Sequence, residues 1–315
     1  MSKNKVQFQK GLSLPEFLKD YGTEEQCFKA LVNLRWPEGF VCPKCQCKAY
    51  CRLKNRRFLF QCNACRSQTS ITAGTIYHST KLPLTKWFLA TYLMTQSKSG
   101  ISQLELARQL GVSANTGAMV YHKLAQVMME RDSQKPLSGN IEMDDAYWGG
   151  KKKGKRGRGS ENKTPFVAAV EKNTDNHPIS IKLSVVPGFK KKSLRQWAKK
   201  HLAPGSMVVS DGLRCFAGIK EAGFFHKVII IGSSKDSQKT SPFNWVNTVL
   251  GNLKSALSGI YHKLSSAHLP RHLATFQYRF NRRFVLGDMI NRLAFVSLRT
   301  LPMPGRLLKI AEHYW

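Results

Sequence analysis

The chain has 315 residues, 42% hydrophobic and 10% aromatic, enough for two or three domains with buried cores and too apolar for a disordered chain. Fifty Lys and Arg against 19 Asp and Glu leave a formal charge of +31, and the sequence pI is about 10.1. Such an excess repels itself and calls for a polyanionic partner, which argues against an ordinary enzyme of small neutral substrates. Apolar runs fall far short of the ~18 residues of a bilayer crossing, and the opening MSKNKVQFQKGL lacks a secretion signal's apolar core, so a soluble cytoplasmic protein is expected.

Residues 1–35 form a helical segment, with Leu14, Phe17, Leu18 and Tyr21 at helix spacing. Residues 36–78 hold most of the cysteines. Seven of eight (Cys27, Cys42, Cys45, Cys47, Cys51, Cys62, Cys65) precede residue 66, leaving only Cys215. In a reducing cytosol, clustered thiols point to metal rather than disulfides. Cys42-x-x-Cys45, sixteen residues, then Cys62-x-x-Cys65 is the spacing of a zinc ribbon. Each C-x-x-C turn brings two thiolates to one edge of a tetrahedron, so these four cysteines are the expected ligands of a structural zinc. A redox motif is the alternative, but it uses one C-x-x-C beside a βαβ pattern. Cys47 and Cys51 read as ordinary thiols. Lys44, Lys48, Arg52, Lys54, Arg56, Arg57 and Arg66 surround the ribbon and suit phosphate contact or, more blandly, a solvated face.

Residues 79–134 predict a helix-turn-helix domain. Ser102–Leu110 places Leu104, Ala107 and Leu110 on one face, Gly111–Ser113 forms the turn, and a second helix runs from Ala114 to about Met128. That helix is expected to bury Val120 and Leu124 and to offer Asn115, His122 and Lys123 to a major groove. A plain helical hairpin is the alternative.

Residues 135–295 read as one α/β catalytic domain, and 296–315 as a C-terminal tail. Strands are predicted at 139–148, 165–172, 179–186, 206–210 and 227–231, with helices at 190–202, 213–222, 244–258 and 267–283. Acids are scarce, yet Glu142, Asp144 and Asp145 fall within four residues, and Asp211 closes the run Met207–Ser210. Strand alternation sets Glu142 and Asp144 on one face and Asp145 on the other. Carboxylates at strand ends suit a divalent metal for phosphoryl transfer, while a helix cap is the plainer role for Asp211. A cationic, glycine-rich run, with Lys151, Lys152, Lys153, Lys155, Arg156 and Arg158, would lie in the hairpin beside these acids. In the tract Arg279–Phe284 the aromatics are expected in the core, with Arg282 and Arg283 reaching the DNA backbone. His262 and His268 read as ordinary histidines.

The order of motifs is more specific than any one of them: four-Cys ribbon, helix-turn-helix, IEMDDAYWGG, VVSDGLRCF, then WVNTVLGNLKSALSGIYHKLSSAHLPRHLATFQYRFNRRF. From about residue 15 to 295 the chain resembles bacterial insertion-sequence transposases that pair a zinc ribbon with an ISXO-like DDE transposase domain. The resemblance implies a ribonuclease H-like mixed-sheet catalytic domain that uses magnesium or manganese. It would bind double-stranded transposon ends, cut there, and join the freed 3′-hydroxyl to target DNA, with a homodimer or higher assembly pairing the ends and a nucleoid-associated location. It also implies the site: Asp144 and Asp211 as the first two acids, Asn247 in place of the third, and a trailing Lys254 seven residues on. Asp144, Asp211 and Asn247 would hold the metal, with Asp145 and Glu142 in supporting roles. The alternative is a DNA-binding regulator with a catalytically inactive transposase-like domain.

Overall fold

A computed structural model describes residues 10–53, 58–150, 163–230, 243–261 and 264–309. The described chain divides into two compact units: Met1–Val127 with Arg282–Lys309, and Met128–Asn281. No helix among the described residues is long and apolar enough to cross a membrane.

The first unit opens with α1 (Leu14–Tyr21) and α2 (Glu24–Arg35), each started by a capping box, Ser13 with Glu16 and Thr23 with Gln26. Leu14 and Leu18 are exposed; only Phe17 of the α1 stripe is fully buried, against Tyr21 and Tyr92. Strands β1 (Tyr50–Arg52), β2 (Leu59–Cys62) and β3 (Gln68–Ser70) form an antiparallel sheet in chain order. Phe28, Trp36, Phe40 and Phe60 cluster over it. Helices α3 (Leu84–Gln96), α4 (Gln103–Leu110) and α5 (Ala114–Ser133) follow.

The second unit is a five-stranded sheet: β4 (Asn140–Trp148), β5 (Thr164–Lys172), β6 (Pro178–Val185), β7 (Met207–Ser210) and β8 (Phe225–Val228). Its order is β6-β5-β4-β7-β8, antiparallel among β4, β5 and β6 and parallel from β4 through β7 to β8. This is the mixed, ribonuclease H-like arrangement the resemblance implies. One face carries Ile141, Met143, Val167 and Ala169 against α6 (Lys191–His201) and α7 (Ala217–Glu221). The other carries Ala146, Phe166, Ala168 and Val170 against α8 (Asn244–Ile260) and α9 (Leu269–Asn281). Strand alternation supplies both faces, which makes three layers.

At the β6 edge, the Ile181 N–H donates to Asn281 Oδ1 and the Leu183 N–H to Gln277 Oε1, each at 2.7 Å. The amide groups of the Gln277 and Asn281 side chains donate to Asp132 Oδ2, at 3.1 and 3.3 Å.

Two stretches differ from expectation. The helix predicted at 213–222 is a 3₁₀ turn (Arg214–Phe216) followed by the short α7. Residues 282–295, expected at the end of the catalytic domain, lie in the first unit. There α10 (Met289–Ser297) buries Met289, Ile290, Leu293 and Ala294, and Tyr21 Oη donates to Asn291 Oδ1 at 2.8 Å. The buried stripe of α10 needs an apolar partner, which α2 and α3 supply. A short α11 (Gly305–Lys309) follows.

Candidate metal centres and DNA-binding elements

The ribbon is built from two matching turns. Cys42 and Cys62 each accept, at the carbonyl, the N–H four residues on, from Gln46 at 2.9 Å and Arg66 at 3.1 Å. Gln46 and Arg66 both have positive φ, 61° and 58°, without being glycine. Each knuckle thus closes with one left-handed residue, a feature cysteine spacing alone does not reveal. The four sulfurs lie within 4.8 Å of one another, with Cys42–Cys65 at 3.6 Å and Cys45–Cys62 at 3.5 Å. A Zn–S length of ~2.3 Å puts tetrahedral sulfurs ~3.8 Å apart, so this donor set fits zinc. The Cys45 and Lys44 amides, aided by the neighbouring thiols, pull the Cys42 thiol down to about 6. Against the pull of the Cys47 amide, hydrogen bonds with the Cys65 and Cys62 thiols push Cys45 the other way, up to about 12, so the cluster holds protons that a bound metal would displace. Cys47 and Cys51 stay outside the cluster; Lys54, Arg56 and Arg57 lie outside the described residues.

The helix pair is present, but its faces are rotated from those expected. α4 buries Leu106, Ala107 and Leu110, while Leu104 is 57% exposed. Gly111 ends α4 in the left-handed region, φ 59°, as a turn there requires. Gly117 permits the close crossing: a Cβ there would stand 2.5 Å from Ala107 Cβ. Asn115 is exposed as expected. His122 and Lys123 are not: each is only 8% exposed. Lys123 Nζ donates to the Ile76 carbonyl at 3.1 Å, and His122 Nε2 meets Gln103 Nε2 at 3.1 Å. Residues 120–128 of α5 are buried without a break, so the helix is surrounded by protein there, while its first turns, with Asn115 and Met119, and its last, with Arg131 and Ser133, keep exposed residues.

The acidic set is assembled by sheet topology. β4 and β7 are parallel neighbours with Met143 opposite Ser210, so the residues that follow, Asp144 and Asp211, come side by side. Oxygens of Asp144, Asp145 and Asp211 lie within 4.8 Å of one another, a spacing and chemistry that fit a hard divalent cation. Asp145 was expected on the opposite face. At this end of the strand Asp144 Oδ1 accepts the Asp145 N–H at 2.8 Å, and the neighbouring carboxylate joins the cluster. Asp211 Oδ1 accepts the Leu213 N–H at 3.0 Å, so it caps the following turn and also serves the cluster. Burial, then the charges of Asp145 and Asp211, push the Asp144 carboxyl up to about 6, against the pull of Lys254.

Asn247 and Lys254 are exposed on α8, two turns apart on one side, flanking its buried stripe of Val246, Val249, Leu250, Leu253 and Leu257. Glu142 is not part of the acid cluster. It is 2% exposed and its oxygens are taken: Oε1 pairs with Lys172 Nζ at 3.0 Å, and Oε2 accepts the Trp245 and Val246 N–H groups, both at 3.0 Å. Lys151, Lys152, Lys153, Lys155, Arg156, Arg158 and His262 lie outside the described residues. Arg282 is half-buried. The Arg283 guanidinium stacks on Phe284, 4.2 Å from the ring centre, and burial pushes it down to about 10. Phe284, expected in the core, is itself exposed, because α9 ends at Asn281.

Residues 136–281 match the ISXO2-like transposase domain, and residues 22–68 the transposase zinc-ribbon domain. An uncharacterized protein in transposable element ISH50 of Halobacterium salinarum is 24% identical over 283 residues, covering 83% of this chain and 92% of that protein. Among solved structures, the Mos1 strand transfer complex is similar over 62% of this chain and 76% of that one, at 10% identity and a TM-score of 0.22. With the four-cysteine cluster and the paired aspartates in place, the chain belongs to the insertion-sequence transposases in which a zinc ribbon precedes an ISXO2-like DDE transposase domain.

Proposed function

We propose that the protein binds the ends of its own element, cuts DNA there and joins the freed 3′-hydroxyl to target DNA. The observation that carries this reading is the convergence of Asp144 and Asp211 at neighbouring parallel strand ends. Asp144, Asp211 and Asn247 are the residues that would hold magnesium or manganese, ions that stabilise charge on the attacking and leaving oxygens of an in-line displacement. In the cutting step a water oxygen bonds to phosphorus and the 3′-oxygen leaves, protonated. In joining, that 3′-hydroxyl attacks a target phosphodiester and displaces its 3′-oxygen. The carboxylates of Asp144 and Asp211 set one wall of the site, and the Asn247 amide offers a neutral oxygen where a DDE enzyme offers a charge. Lys254 offsets phosphate charge and holds the strand. Asn115, on the open first turn of α5, contacts the end duplex, together with the Lys151–Arg158 run, Arg282 and Arg283. The zinc held by the four cysteines is structural. Two protomers pair the two ends.

The test is strand cleavage and joining on end-sequence oligonucleotides, wild type against Asp144→Ala. Joined products from the wild type alone support the reading; equal products from both, or none from either, defeat it. Asn247 itself favours a second reading, a DNA-binding regulator with an inactive catalytic domain. That reading predicts end binding with no cleavage under any divalent ion.

A further inference from the structure

The buried carboxylate of Glu142 takes no part in the acid cluster, yet it reaches across to the helix that completes the site. We propose that Glu142 is a positioning residue, fixing the start of α8, and with it Asn247, against the strand that carries Asp144. The inference rests on the reading above, that Asn247 and Asp144 serve one DNA-cutting site.

Glu142 and Asp144 are two residues apart on β4, so they share a face at a separation of ~6.8 Å along the strand. Glu142 Oε2 accepts two of the free N–H groups that open α8, those of Trp245 and Val246. Those are orphan donors of a helix start, and an ionised acceptor both satisfies them and suits the positive end of the helix. The N-cap residue, Phe243, gives α8 no side-chain cap of its own. Lys172, opposite Asn140 on β5, supplies the countercharge that a carboxylate at this depth requires. Asn247 is the next residue after Val246, ~1.5 Å further along the helix axis, so a shift at the clamp passes to it almost undiminished. Lys254, seven residues on, still acts on Asp144 through its charge. The hydrogen bonds from Trp245 and Val246 thus tie the helix to β4 at Glu142, two residues before Asp144.

The test uses the full chain and two readouts. Amide hydrogen exchange over residues 243–254 is compared in wild type, Glu142→Ala and Glu142→Gln. Single-turnover cleavage is measured at saturating end DNA. Glu142→Ala should speed exchange at the start of α8 and slow cleavage about 100-fold, the scale of a 1 Å misplacement, with end-DNA affinity nearly unchanged. Glu142→Gln keeps an acceptor oxygen and should recover about tenfold of that loss; it carries the test alone if Glu142→Ala does not fold, and is then expected to fall between wild type and inactivity. In a cycle with Asn247→Ala, the two losses should not multiply, because both act through the same group. Unchanged exchange at 244–248, an unchanged cleavage rate, or fully multiplicative losses would overturn the proposal. If the wild type cuts no DNA while Glu142→Ala still loosens the start of α8, the clamp stands and the cutting function fails.

Discussion

The ribbon gathers its four sulfurs from 24 consecutive residues, whereas the acid cluster joins Asp144 to a residue 67 positions further on. Each knuckle makes its own turn, closed by Gln46 or Arg66, so half a zinc site forms within five residues. The carboxylates have no such local device: β7 must first dock in register beside β4. The donor sets differ in the same direction. Four thiols complete a tetrahedron and close it, while three carboxylates leave room for substrate oxygens on a hard cation. One centre is suited to holding shape and the other to chemistry, and substitutions should separate the two.

The largest separation comes from Asp144→Ala, which should cost at least about 10³-fold in strand cleavage, seen in oligonucleotide assays. Its zinc content, measured by elemental analysis, should equal wild type. Cys62→Ser should do the converse, dropping zinc from about one ion per chain to well below it and loosening the ribbon, as chelation would. Normal zinc in that variant would erase the distinction between the two centres. Gly117→Val extends the contrast to the α4–α5 crossing, where contact with Ala107 should destabilise the protein by about 1–3 kcal/mol in thermal unfolding. Lys123→Met and Asn115→Ala sharpen the DNA-binding side. The first should lower stability while leaving the salt dependence of DNA binding unchanged; the second should weaken end binding by about 1 kcal/mol in a titration. Smallest of all, Leu104→Ala should change stability by no more than about 0.5 kcal/mol, since its side chain faces water.

These contrasts also explain what could be read from the amino acids. Strands 139–148, 165–172 and 179–186 were legible within a residue or so because each is a long run buried on two faces, bounded by polar turns. The ribbon was legible because its ligands share local turns. The faces of α4 and α5 were not. A stripe drawn through Leu104, Ala107 and Leu110 and one through Leu106, Ala107 and Leu110 are both helical, and only the partner decides between them. His122 and Lys123 looked like surface residues by type, but α5 is enclosed through that region and satisfies Lys123 with a carbonyl from a distant loop. Asp145 joining the cluster, and Glu142 leaving it for α8, depend on strand-end geometry and on a contact spanning a hundred residues. Neither leaves a periodic trace.

The outer margin of β6 has one more consequence. A sheet whose last strand shows bare amides is a template for a stranger's strand, and under the proposed pairing of ends this chain works crowded beside copies of itself on DNA. Gln277 and Asn281 occupy two of those amides, and a single carboxylate, Asp132, aims both guards. Solubility of the transposase at high concentration thus hangs partly on one acid at the end of α5 that stands outside the acid cluster altogether.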